Sequence, residues 1–408
     1  MTTFFFKHTS QVAKNAAIAA MFFVAAGSAF ADGGVRMLER VQPATTAEEF
    51  VNLKRSMVAP VAATVVELGE WVAPKAAAVE SSDLVKIGAT RASEASASVQ
   101  AVNQLLEWKP SARGGMVAAL SFVSNGAFGM RAGVQIDALP GNALVRVYEP
   151  DFRDEAFEVA GQRIEQQLQN NAKAGDASAA ARTWWTPAVD GDELVIEIEL
   201  PAGFAPSLVQ VSVPSVLHMY KDIFNLIADG ATTYTKINNA GGCTLDSTCH
   251  DEYARQRDAV ARMHYVTATG GYLCTGTLLN DRNGTGTPYF LTANHCIRHQ
   301  PEASTLPTFR FYRTPTCNSR VLSANSKTLK NGAKLLYTSN MPDATLLVLN
   351  DTPPAGAVFA GWDTTPIGNG AAVVGIHHPG GDLQKISFGN VIGTSACTPG
   401  AGFYNCTG

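Results

Sequence analysis

No cysteine precedes Cys243, and seven then follow at 243, 249, 274, 296, 317, 397 and 406. A disulfide framework is thereby excluded from the N-terminal part and available to the C-terminal part. A basic excess is lacking too. The chain has 31 Lys and Arg against 35 Asp and Glu, a net charge of -4. That removes the electrostatic footprint expected of a nucleic-acid partner. Beyond residue 31 no apolar run approaches the roughly 20 residues that span a bilayer as a helix, so no membrane partner is expected after export. There is no internal repeat at a fixed period, which argues against a solenoid. One large or two to three modest globular domains remain.

What is present begins at the N-terminus. Residues 1–14 carry Lys7, His8 and Lys14 and no acid. An apolar run from Ala16 to Ala26 follows, and Gly27-Ser28-Ala29-Phe30-Ala31 closes it with small residues. This is the pattern of a secretory signal peptide cleaved after Ala31. Export to an oxidising compartment makes disulfides the natural use of the cysteines. Seven is an odd number, so either one thiol is free or its partner lies in a missing C-terminal part.

The N-terminal part reads as a small mixed or β-rich domain. Residues 84–106, heavy in Ala, Ser and Glu, read as helical. Residues 115–122 and 143–148 read as strands, and the polar stretch 155–171 as a helix running into a connector at 172–177. Glu193–Leu200 alternates apolar and acidic residues, the period-2 signature of a half-buried strand, and Pro201 and Gly203 end it. No catalytic constellation stands out here. The cysteine-bearing part reads as short strands at residues 272–279, Tyr289–Thr292, 345–349 and 371–376. An Asn283-Gly284 step lies in the turn between the first two. Strands so spaced predict an all-β barrel or sandwich.

Two features in this second part carry chemistry. In Phe290-Leu291-Thr292-Ala293-Asn294-His295-Cys296 an apolar strand runs into a turn that holds a histidine beside a cysteine. A base must be held at a fixed angle, and a disulfide at the next residue anchors it; Cys274 on the preceding strand is the obvious partner. In Pro342-Asp343-Ala344-Thr345-Leu346 an aspartate opens an apolar strand. Such a carboxylate is costly unless paired, and a histidine N–H is a natural partner. His377-His378 and Cys249-His250 invite a metal reading, but metal sites need three or four convergent ligands. No metal and no cofactor is expected.

Taken together, these residues resemble the bacterial lysyl endopeptidases, a branch of the trypsin-like serine proteases. The resemblance runs from Gly242 to about Ser387. It rests on Cys243 with Cys249, on Cys274-Thr-Gly-Thr-Leu, on Tyr289-Phe-Leu-Thr-Ala-Asn-His295-Cys296 and on Asp343-Ala-Thr-Leu-Leu. Ala360-Gly-Trp-Asp363 and Ile376-His-His-Pro379 complete it. The resemblance implies a mostly β, trypsin-like double β-barrel preceded by a propeptide domain. His295 would be the general base and Asp343 its orienting partner. It further implies Cys274–Cys296 and Cys249–Cys317 disulfides and a bond from Cys243 to a cysteine near the C-terminus; Cys397 and Cys406 are read as a local pair. The division implied is a signal peptide at 1–31, a propeptide at 32–236 and a protease domain at 237–408, with Lys236-Ile237 as the activation site. The product would be a secreted, monomeric serine endopeptidase acting on proteins or peptides after Lys or another basic residue, with its own propeptide as partner.

One part of that pattern is missing. The family places its nucleophile in a Gly-x-Ser-Gly turn after the His and Asp. Past Asp343 only Ser387, in a strand-like run, and Ser395, near a cysteine, are available. The expectation is a second barrel left incomplete and a serine lost with the C-terminus. The rival reading is a catalytically inactive secreted binding protein on the same fold.

Overall fold

The computed structural model describes residues 35–43, 61–72, 84–223, 244–310, 314–319, 322–323, 326–393, 396–399 and 404–407. The signal-peptide stretch, Lys236-Ile237, Cys243 and Ser395 lie outside them. Among the described residues no helix is long and apolar enough to cross a membrane.

The N-terminal half is built from β1 (Val85–Ala92), β2 (Met116–Val123), β3 (Gly129–Ala138), β4 (Leu144–Tyr148), β5 (Glu193–Leu200) and β6 (Gln210–Met219), with short flanking strands. One sheet runs Thr64–Glu67, β2, β5, β4, Phe157–Ala160. The other contains Thr183–Trp185, β3, β6 and β1 in that order. Leu120, Phe122, Ile196 and Ile198 of the first share a core with Met130, Val134, Val211 and Val216 of the second. Two helices, α1 (Val99–Leu105) and α2 (Gly161–Lys173), add Val102 and Ile164 to it.

Three expectations about this half are corrected. The Ala-rich stretch 84–106 is not one helix. Its first part is β1, and α1 begins only after Ser98, whose side chain accepts from the Ala101 amide. Local propensity yields here to tertiary pairing. β1 is gripped by β6, so closely that a Cβ on Gly88 would lie 2.6 Å from the His218 carbonyl oxygen. Likewise the polar stretch 155–171 turns helical only at Gly161; Phe157–Ala160 pairs with β4 instead.

The third is β5. Its alternation predicted one wet face, yet both faces are buried, and Glu197 and Glu199 are 0% and 4% exposed. The reason is Arg146 on β4. Its guanidinium holds Glu158 at 2.6 Å and Glu197 and Glu199 at 2.7 Å each. Arg153 and the Tyr148 hydroxyl complete Glu197, and the Ser111 hydroxyl completes Glu199. Removing the cation would strand buried carboxylates, a loss of about 3–5 kcal/mol. Arg146→Met is therefore expected to destabilise the chain by that amount in urea denaturation. Burial pushes the Glu199 pKa up, but the hydrogen bonds from Ser111 and Arg146 outweigh it and the net shift is downward. A carboxyl lowered on folding stabilises fully above its ordinary value of 4.5 and loses that contribution as pH falls through the folded value. Glu199→Gln should thus flatten the fall of the urea midpoint between about pH 5 and pH 3. Equal slopes in the two proteins would contradict the network's role.

The C-terminal half begins with the hairpin β7 (Val260–Thr267) and β8 (Gly270–Leu279), then β9 (Tyr289–Thr292), β10 (Ala333–Ser339), β11 (Ala344–Leu349), β12 (Ala372–His377) and β13 (Lys385–Asn390). β9 lies between β8 and β11, and β10 borders β11. On the other side β7 continues into Thr308–Arg310 and Lys327–Leu329. Met263, Phe290, Leu329, Ala333 and Leu347 share one core, so the two ends of this path meet through side chains. The half is mostly β, as expected of a trypsin-like protein, but among the described residues no barrel is closed by hydrogen bonds. The second unit holds Leu245–Asp246, β13 and β12, with a separate hairpin of Ala396–Pro399 and Tyr404–Thr407 that sets Cys397 opposite Cys406.

The halves are continuous. β1 pairs with β8 at residues 271–273, on the same edge that β9 uses at residues 277–279, so one 12-stranded sheet spans both. Ile87, Leu217 and Met219 pack there against Val266 and Leu273. Buried Arg131 donates to the Thr305 carbonyl across the joint at 2.8 Å, and burial lowers its pKa to about 9. The Ser304 hydroxyl crosses the other way to Asn171.

Candidate active site

β9 exists because Tyr-Phe-Leu-Thr suits a pleated, half-buried surface, with Phe290 fully buried in the core. The strand ends where the Thr292 hydroxyl donates to the Thr275 carbonyl at 2.9 Å. The Cys296 and Ile297 amides then turn back onto the Ala293 carbonyl. This turn carries His295, and the disulfide between Cys296 and Cys274 ties it to β8.

Asp343 approaches from the turn between β10 and β11, one residue before the latter begins. Its φ is +59°, a left-handed conformation that Asp tolerates better than most residues. Both carboxylate oxygens are used. Oδ2 lies 2.7 Å from His295 Nδ1, and Oδ1 accepts the His295 backbone N–H at 2.9 Å. The structure therefore brings together the two residues singled out from the sequence. The carboxylate fixes the ring with its proton on Nδ1 and leaves Nε2 able to accept a proton, the arrangement a general base needs. The two side chains are 16% and 23% exposed, open enough for a reactant and dry enough to strengthen the pair.

Residues 61–220 match the family model for the lysyl endopeptidase N-terminal domain, and residues 237–407 match that for the lysyl endopeptidase C-terminal domain. The chain is also 33% identical over 296 residues to a lysyl endopeptidase of Pseudomonas aeruginosa, covering 70% of this chain and 60% of that one. The chain is lysyl endopeptidase-like. It spans about 60% of the length of that relative.

In this lysyl endopeptidase-like chain the ground around His295 is stiffened by residues that the sequence reading passed over. Thr338 and Thr345, register partners on β10 and β11, have hydroxyls 2.6 Å apart. Thr345 donates to the Ile297 carbonyl at 2.7 Å, and the Asn294 amide donates to Thr338 at 2.8 Å. Both sides of the His295 turn are thus tied to the strand pair that bears Asp343. The available signal was Thr345, a buried hydroxyl at the head of an otherwise apolar strand.

Cys249 is bonded to Cys317, so Cys249-His250 offers no thiolate. Cys274, His295 and Cys296 have ligand atoms within 4.8 Å of one another, but the two sulfurs are joined. His378 is buried, its amide donates to the Thr275 hydroxyl, and its Nδ1 lies 3.0 Å from the Asp382 carbonyl oxygen. Burial holds its pKa down at about 3, a neutral ring bracing β8. Trp362 is half-buried, with its indole N–H donating to the Asn280 carbonyl. Ser387 sits within β13 opposite Gly375, in regular strand pairing rather than a glycine-rich turn. The Cys243 partner and the thiols of Cys397 and Cys406 lie outside what is described.

Proposed function

We propose that this chain is the precursor of a secreted serine endopeptidase that cleaves peptide bonds after lysine or another basic residue. The observation that carries the reading is the engagement of Asp343 by both the ring and the backbone amide of His295. In the reaction a serine hydroxyl attacks the peptide carbonyl while His295 Nε2 takes its proton. Asp343 stabilises the imidazolium, and His295 returns the proton to the leaving amine; water then repeats the cycle on the acyl-enzyme. No metal or organic cofactor is required.

The division into signal peptide 1–31, propeptide 32–236 and protease domain 237–408 belongs to the same reading. Lys236 falls between the two matched regions, where a lysine-directed enzyme can cut its own chain. Latency is supported by β1, which occupies the β8 edge next to Cys274, where an extended peptide would otherwise add a strand. Two disulfides fit export to an oxidising compartment. The active species is a monomer whose partners are protein or peptide substrates and its own propeptide.

The test uses the whole protein secreted by its native host. A peptide with a single internal lysine should be cut on the carboxyl side of that lysine, and a fluorophosphonate probe should label one serine and stop the cutting. Absence of both cleavage and label would replace this reading with that of an inactive binding protein.

A further inference from the structure

Residues 35–42, Val-Arg-Met-Leu-Glu-Arg-Val-Gln, lie outside both matched regions, which begin at residues 61 and 237. They do not join the N-terminal half. Arg36–Met37 pairs antiparallel with Trp362–Asp363, and Arg40–Val41 with Val358–Phe359, both in the C-terminal half. The ends are fastened as well. The Val35 amide donates to the Thr364 hydroxyl at 2.8 Å and the Thr364 amide to the Val35 carbonyl at 3.0 Å. At the other end the Gln42 amide donates to the Ala357 carbonyl at 2.6 Å, and the Gly356 amide to the Gln42 carbonyl at 3.1 Å.

Side chains add selectivity. Glu39 meets Arg255 at 2.8 Å, the Asn280 amide donates to the Leu38 carbonyl, and the Arg40 guanidinium lies over the Phe359 ring. The dock is shaped for a backbone: a Cβ on Gly361 would fall 2.3 Å from the Met37 carbonyl oxygen. Leu38 stays 68% exposed, so the main chain rather than an apolar anchor is what is recognised, as in strand addition. The receiving segment is itself bonded to the end of β8, through Asn280 N–H to the Ala360 carbonyl and Ala360 N–H to the Leu278 carbonyl. β1 grips the opposite end of β8, at residues 271–273. The two attachments are therefore about 20 Å apart along one strand.

We propose that residues 35–42 are a strap by which the N-terminal half clasps the C-terminal half at a second site, so that the halves stay joined once the chain between them is cut. Two weak sites on one ligand reinforce each other through effective concentration, by factors of about 10²–10⁴. The inference does not depend on the chemistry of His295. It is tested by placing a specific protease site within residues 224–243, cutting the folded full chain there, and measuring the dissociation constant of the halves by dilution and size exclusion. Deletion of residues 35–42 should raise that constant at least about 100-fold. Gly361→Val, which blocks the dock and leaves the strap intact, should do the same. Should the valine unfold its half, the deletion still decides, because it leaves the C-terminal half unaltered. An unchanged constant after deletion, or separation of the uncut-strap protein as fast as the deleted one, overturns the proposal.

Discussion

His295→Ala in the whole protein is expected to lower kcat by about 10⁶-fold, the scale seen when the base is removed from a Ser–His–Asp unit. The expectation follows from the geometry. The ring is fixed by Asp343 on one nitrogen and by the Cys274–Cys296 tether through its neighbour, and no other imidazole among the described residues shares that place. In the proposed mechanism alanine would leave the attacking serine without a base and the departing amine without an acid. KM should change far less than kcat, because the ring binds the proton in flight rather than the substrate. The check is steady-state hydrolysis of a lysyl peptide, with disulfide content measured to verify the fold. Activity within tenfold of the parent would remove His295 from the mechanism.

Asp343→Asn should cost about 10⁴ in kcat for a subtler reason. The His295 backbone N–H points at Oδ1, so an asparagine must keep its oxygen there and turn its NH₂ towards Nδ1. That nitrogen would then have to accept, which moves the ring proton to Nε2, the position that must take the serine proton. The fold should survive, since the size of the side chain and the bond to the amide are retained. A wild-type kcat in this variant would show that the pair is structural.

These residues were legible because their chemistry is local. A histidine beside a cysteine after an apolar strand, and an aspartate heading another, are anomalies visible without the fold. The bounds of β5 were legible for the same reason. What lay beyond reach depends on distant partners. The burial of Glu197 is made by Arg146, 51 positions away, and nothing in an acidic–apolar alternation distinguishes a wet face from a neutralised one. β1 hid behind the helix-favouring alanines that follow it, because its pairing partners β6 and β8 lie far along the chain. Thr338 and Thr345 hid as ordinary strand formers. The strap hid because strand addition leaves little imprint on side chains.

Glycines set the closest backbone approach at the seam between the halves, and this bears on how such proteins diverge. A Cβ on Gly270, whose φ is +150°, would lie 2.2 Å from the Gly88 carbonyl oxygen, and one on Gly271 would lie 2.8 Å from the Leu217 side chain. Gly88 is itself pressed against β6. Positions on both halves thus accept change only in concert. A chimera that takes its N-terminal half from a distant relative should fold and secrete well only when residues 88 and 217 arrive with a compatible 270–271 pair. The two halves are therefore expected to diverge as one unit, although their family signatures can be recognised separately.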